Sequence, residues 1–211
     1  MGSVNDLAKF LGDACYGFLA INFCWGLYCV VMAMRRVNRL SFKNRHRQAE
    51  FLDELMPKLE ADQFDAALEQ CDGDPRALPQ LVTAAIENRN TGFESMRQTV
   101  SELLQHDVLG DLDYRTGWIA TVIKSGPLLG LFGTVLGMMA AFGRIGTGEK
   151  VQQSQIADEI SIALVCTAMG LATAIPFNFF LASINNRVRK LQDSLAAGLA
   201  RVLEHFKRNQ G

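Results

Sequence analysis

Residues 126–143 read GPLLGLFGTVLGMMAAFG, a stretch with no charged side chain that spends five positions on glycine and one on proline. In a soluble helix each interior glycine costs about 1 kcal/mol and the proline about 3 kcal/mol. Lipid changes that balance. Apolar burial between helices gains little there, association relies on close packing, and small residues let two backbones approach. The stretch therefore reads as a membrane helix whose glycines are contact surfaces.

The same absence of Asp, Glu, Lys and Arg marks three windows: Ala14 to Met34, Ser125 to Gly143 and Ile160 to Asn186. A bilayer core of about 30 Å needs about 20 apolar residues in a helix, so all three are read as spans. The first window is read as a span and not as a cleaved signal peptide. Its basic cluster follows the apolar run, and no small-residue cleavage site precedes polar sequence. Over the whole chain Lys+Arg number 21 and Asp+Glu 22, which gives no electrostatic ground for binding nucleic acid or an acidic substrate.

Local charge is more informative. RRVNRLSFKNRHR, directly after the first window, holds six Lys/Arg, among them Arg35, Arg36, Arg39 and Lys43. The tail after the third window adds Arg187, Arg189, Lys190, Arg201, Lys207 and Arg208, whereas the loop between the second and third has only Arg144 and Lys150. Basic residues near span ends stay on the cytoplasmic side, so the N-terminus is expected outside and the C-terminus inside. The default role of Arg35, Arg36, Arg39 and Lys43 is attraction to anionic lipid at that surface. Lys124 is expected near the inner boundary, its stem reaching toward water.

The expected map is a periplasmic N-terminus over 1–13, a first transmembrane helix over 14–34 and a cytoplasmic helical region over 35–117. A second transmembrane helix over 118–143, a periplasmic loop over 144–159, a third transmembrane helix over 160–186 and a cytoplasmic C-terminal helix over 187–211 follow. The fold class is all-α, with long helices extending into the cytoplasm. In the 35–117 region, Asp74 and Pro75 read as the cap and first turn of a helix from about Arg76 to Val108. Ile86, Phe93 and Val100, with Met96 and Leu103, would form its apolar seam. GDLDYRTG, Gly110 to Gly117, is the expected bend before the chain returns to the membrane. The apolar material of this region reads as too little for a large separate core.

Enzymatic signatures fail. The glycine-rich stretch lacks a G-K-[ST] ending, and Lys150 in GTGEK lacks the spacing of a phosphate cradle. CDGDPRALPQLVTA starts like a calcium loop, but its twelfth position is Thr83 where a bidentate Glu is needed. The five cysteines form no C-x-x-C pair, and the three histidines are scattered. No disulfide, metal site or cofactor is expected.

Gly126 and Gly130, then Gly133 and Gly137, form two small-xxx-small pairs. Ala163, Thr167, Gly170 and Ala174 repeat the design in the third window, and Thr134 shares the face of Gly130 and Gly137. Two small faces, each with one hydroxyl, can meet or line a shared interior. Equally, each threonine can bond back to a carbonyl of its own helix. Pro127 and Pro176 are expected to kink their helices, with freed carbonyls satisfied by neighbours or water.

SGPLLGLFGTVLGMMAAF and IALVCTAMGLATAIP, followed by NNRVRKLQ, closely resemble the two signature spans of the ExbB/TolQ/MotA group of bacterial proton-channel subunits, especially its ExbB and TolQ branch. The likeness is clear from about Trp118 to Gln192. It implies a bacterial inner-membrane stator subunit assembled as a homo-oligomeric ring, a pentamer, around the single membrane helices of ExbD-like or TolR-like partners. A TonB-like or TolA-like effector would then receive the work. The resemblance places Thr134 and Thr167 in the proton path and matches Pro127 and Pro176 to the family's span prolines. ExbB and TolQ usually carry a glutamate five residues before the second motif threonine; here that position is Ile162, and Glu159 is the candidate outer-mouth acid. No window contains an Asp, Glu, Lys, Arg or His, so the titrating carboxylate is expected on a partner helix. A non-conducting scaffold ring and a sodium-driven stator of the same architecture are the alternatives.

Overall fold

The computed structural model describes residues 2–146 and 153–210. Residues 147–152 of the expected 144–159 loop, with Lys150, lie outside the described residues, and the rest of that stretch is helical, in the end of α6 and the start of α7. Among the described residues seven α-helices occur in order: α1 Gly2–Leu40, α2 Arg45–Glu60, α3 Phe64–Cys71, α4 Ala77–Glu87, α5 Phe93–Leu103, α6 Asp111–Gly146 and α7 Gln153–Gln210. A 3-10 turn, Arg89–Thr91, separates α4 from α5, and a π-helical segment, Leu104–Gly110, leads into α6. No strand occurs among the described residues. Among the described residues three helices are long and apolar enough to cross a membrane, with candidate stretches within Ala14–Leu40, Phe93–Gly143 and Ser154–Arg208.

The chain divides into two compact units. One is built from α1 as far as Val31 together with Thr116–Ala182, and the other from Met32–Arg115 with the part of α7 beginning at Ser183.

In the first unit, α1, α6 and α7 pack through small residues. A Cβ placed on Gly26 would stand 2.7 Å from both Phe177 and Val122, so α1 touches α6 and α7 at a point only glycine fits. Phe23 and Phe177 add an aromatic contact at 5.6 Å between ring centroids. Trp25 meets Trp118 edge-on at 5.9 Å. Large apolar side chains such as Phe18, Phe132 and Phe179 stay exposed, the last at 73%. An apolar exterior of this kind suits lipid and would be untenable in water.

The second unit has a core of its own, which corrects the expectation of too little apolar material. Leu52, Leu55 and Leu59 of α2, Leu78, Leu81, Val82 and Ile86 of α4, and Met96 and Val100 of α5 are all buried. The other half of the core comes from Leu191, Leu195, Leu199, Val202 and Phe206 of α7. Counting only 35–117 leaves that half out.

The single helix expected from Arg76 to Val108 is in fact broken. Asn88 donates its side-chain amide to the Ala84 carbonyl at 2.8 Å, and the Thr91 hydroxyl donates to the Asn88 carbonyl at 2.7 Å. These local bonds compete with the helical ladder, and Gly92 then takes φ 93°, ψ 150°, a conformation closed to side-chain-bearing residues. The seam therefore runs over two helices. Asp74 does not cap α4 either: its carboxylate accepts the Arg76 N–H at 3.0 Å, and Arg76 occupies the cap position.

The bend expected at Gly110 to Gly117 is absent. The chain runs through the π-helical segment and α6 is helical from Asp111 onward. Leu104 and Asp111 both have αR dihedrals, so the helical backbone passes from α5 into α6 without a break. Asp111 accepts Arg36 at 2.6 Å and Arg115 at 3.0 Å, so the sequence DLDYR continues a helix where turn chemistry suggested an interruption.

Candidate functional site

The small faces of α6 and α7 meet within the first unit. Gly126 faces the Gly170 carbonyl, Gly130 faces Cys166 and Thr167 backbone, Gly133 faces the Cys166 sulfur, and Gly137 faces Ala163. A Cβ on Gly137 would lie 2.5 Å from that of Ala163, and one on Gly130 would lie 2.8 Å from the Thr167 Cα. Ala174, farther along α7, is buried as well. The close approach lets side chains of one helix bond the backbone of the other.

At its centre stands a pair of hydroxyls. Thr134 is 8% exposed and donates to the Gly130 carbonyl at 3.0 Å, one turn back in α6, with the Ala163 carbonyl of α7 also in reach at 3.3 Å. Thr167 of α7 donates across to the same Gly130 carbonyl at 3.0 Å. The two hydroxyls also lie within hydrogen-bonding reach of each other, and because each has one proton, the one that donates to its neighbour leaves the Gly130 carbonyl to that neighbour. Thr134 thus bonds back to its own helix and Thr167 reaches across. A hydroxyl can donate and accept at once, so the pair with its shared carbonyl is a short hydrogen-bonded chain inside an otherwise apolar bundle.

The remaining expected residues fall around this centre. Pro127 and Pro176 lie inside α6 and α7. Glu159 is half-buried on α7, two turns before Thr167. Ile162 is 56% exposed, and its carbonyl accepts the Tyr16 hydroxyl at 2.7 Å. Lys124 is exposed on α6. In the second unit Arg35, Arg39 and Lys43 are exposed, whereas Arg36 is ion-paired to Asp111 and is half-buried.

Two contributors have no signal in spacing alone. Asn22 of α1 accepts the Ser125 hydroxyl at 2.8 Å and donates to the Val122 carbonyl at 3.4 Å, pinning α1 to α6 one residue before Gly126. Gly26, one turn beyond Asn22, makes room for Phe177. Their combination, an asparagine and a glycine four apart in a charge-free window, is the signal that was available.

Among the described residues no group of three or more His, Cys, Asp or Glu side chains could hold a metal ion. Outside the membrane-spanning stretches, burial pushes the Cys71 thiol up to about 11, and the Asp74 carboxylate adds to the rise.

The sequence model of the MotA/TolQ/ExbB proton channel family matches residues 72–197. The chain belongs to this family. Within it the chain falls in the ExbB/TolQ branch. It is 37% identical over 97 residues to the biopolymer transport protein ExbB of Pseudomonas putida, which covers 43% of this chain and 30% of that protein. It is 42% identical over 65 residues to the Tol-Pal system protein TolQ of Haemophilus influenzae, covering 31% and 28% respectively. With the biopolymer transport protein ExbB of Aquifex aeolicus it shares 39% over 85 residues, 40% of this chain and 55% of that one. The matched stretches thus span less than a third of the first two relatives. Family membership and the three apolar helices together support a multi-pass inner-membrane protein of a transport family.

Proposed function

We propose that this chain is the proton-conducting stator subunit of an inner-membrane motor that couples the proton motive force to work in the periplasm or at the outer membrane. The observation that carries the reading is the Thr134–Thr167 hydroxyl pair on the Gly130 carbonyl. It sits at the contact of the two helices that carry the family's signature spans. Hydroxyls relay hydrogen bonds but do not titrate near neutral pH, so the carrier is an acid on another molecule. An ExbD/TolR-like single-span subunit with an intramembrane aspartate fills that role. A ring of identical subunits, a pentamer, surrounds it, and a TonB/TolA-like effector takes up the work. The N-terminus lies in the periplasm and the C-terminus in the cytoplasm, as the basic residues after the first and third spans require.

The test is the double variant Thr134→Val with Thr167→Val, which keeps side-chain size and removes both hydroxyls. Proton-driven function is lost and assembly with the partner is kept. Normal proton flow in an assembled double variant would remove the hydroxyls from the path. It would favour the second reading, a non-conducting scaffold ring, which the closure of both threonines on backbone carbonyls also supports as a packing device. Under that reading Gly133→Leu disrupts assembly while the double threonine variant behaves normally.

A further inference from the structure

The second unit holds a half-open cavity of about 710 Å³ where the end of α1, the turn into α2 and a stretch of α7 come together, and its wall carries Asn38, Lys43, Asn44, Arg187 and Lys190. Arg187, Lys190 and Ser194 are spaced three and four apart, which puts them on one face of α7. The chain leaves α1 at Leu40 and enters α2 at Arg45, and this turn brings Lys43 and Asn44 to the same space. Polar bonds fix the walls. Gln48 of α2, only 7% exposed, donates its amide to the Ser194 carbonyl at 2.7 Å, and its oxygen accepts the Ser194 hydroxyl. The Arg187 guanidinium donates to the Asn38 side-chain oxygen at 3.1 Å, which ties α7 to α1 and leaves further guanidinium N–H groups to donate elsewhere.

Three cations meet at this cavity, and no described Asp or Glu lines it. Lys43 and Lys190 make no ion pair among the described residues, and Asp193, beside Ser194 in the chain, is not on the wall. The shortage of acid is local, because elsewhere in the unit Arg36, Arg115 and Arg201 each hold a carboxylate. Like charges gathered on fixed walls repel, and an anion between them relieves that repulsion. Two ammonium groups and a guanidinium, with the neutral amides of Asn38 and Asn44 beside them, suit a group that offers several acceptor oxygens around one centre of negative charge, which is the chemistry of phosphate. Asn38 stands four residues past the first charge-free window and Arg187 one residue past the third. On the membrane reading of those windows, the cavity lies at the level of lipid phosphates.

We propose that this cavity binds a phosphate group, carried by the headgroup of an anionic phospholipid or by inorganic phosphate, with Lys43, Arg187 and Lys190 as its cationic contacts. The site goes beyond the proton-channel reading and does not depend on it. It also differs from diffuse attraction of basic residues to an anionic surface. Arg39 and Arg189 are immediate chain neighbours of Asn38 and Lys190, yet neither lines the cavity, since each points about 100° away from that neighbour around its helix.

The experiment follows thermal unfolding of the full chain in an uncharged detergent. Inorganic phosphate is compared with chloride at equal ionic strength, and micelles doped with phosphatidylglycerol are compared with micelles doped with phosphatidylcholine. At saturation one or both of the phosphate-bearing anions raise the unfolding midpoint by about 5 °C. A rise with inorganic phosphate shows that the ion itself suffices; a rise with phosphatidylglycerol alone makes lipid the source. Lys43→Gln with Lys190→Gln abolishes the rise. Arg39→Gln with Arg189→Gln removes the same charge outside the cavity and keeps it. All four side chains are exposed, and each variant's midpoint without added anion serves as its own baseline. No rise with either anion overturns the proposal, and so does equal loss in the two double variants, which would leave surface attraction alone. Proton flow enters neither arm, so failure of the channel reading and failure of this site are told apart.

Discussion

Gly170 shows how narrow the tolerance is at single positions. A Cβ there would stand 2.5 Å from the Gly126 carbonyl oxygen, a backbone atom that cannot swing aside, whereas one on Gly17 meets nothing within 4 Å. Gly170→Ala is expected to destabilise the protein in detergent by about 1–3 kcal/mol through overpacking. Gly17→Ala is expected to be neutral or to gain about 0.5–1 kcal/mol from helix propensity. Thermal unfolding of the two variants side by side checks this, and equal midpoints would contradict the packing of α6 on α7. Cys71 carries a second expectation. Its buried thiol ionises only at about 11, against an ordinary 9.0, so the folded state favours the neutral form. That contribution to stability is complete below pH 9 and is lost as pH climbs through about 11. At pH 8, iodoacetamide should alkylate Cys71 in the folded protein at least ten-fold more slowly than in the unfolded chain; equal rates would show that the thiol is not held in the core. Spacing in the sequence sufficed to place Thr134 and Thr167 on small faces. It could not reveal that both would share the Gly130 carbonyl, because that depends on the depth at which α6 and α7 slide past each other.

Among the elements, the α4–α5 break is where local chemistry overrules periodicity. A seven-residue apolar repeat runs on through Ile86, Phe93 and Val100, and read alone it calls for one helix. Asn88, Thr91 and Gly92 interrupt the backbone while leaving the apolar side chains in place: Ile86, Met96 and Val100 remain buried on both sides of the turn. Gly92→Ala should cost about 1–3 kcal/mol, because φ 93° with ψ 150° is open to glycine alone. Chemical denaturation measures it; an unchanged midpoint would mean that the turn can rearrange into a continuous helix. The long helices were legible for a different reason. Charge-free windows of 19 to 27 residues admit no other secondary structure in lipid, so α1, α6 and α7 followed from composition. The join of α5 to α6 did not. Gly110 and Gly117 signal a turn, yet the helical backbone runs through both, with Asp111 ion-paired to Arg36 and Arg115.

For the whole molecule, the least legible feature was the second unit's core. Leu191, Leu195, Leu199, Val202 and Phe206 lie more than a hundred residues downstream of the α2 and α4 side chains that share their unit, and no local pattern links them. The first unit was easier to read because its contacts are written as small-residue spacings within two windows. Function enters at this scale too. On the proposed reading, membrane windows with no Asp, Glu, Lys, Arg or His shape a path while another molecule holds the travelling proton. Proton uptake into voltage-polarised vesicles tests that division of labour most directly, with the chain reconstituted alone and then with the proposed acid-bearing single-span partner. The account predicts uptake only when both are present; uptake at the full rate from vesicles holding this chain alone would contradict it.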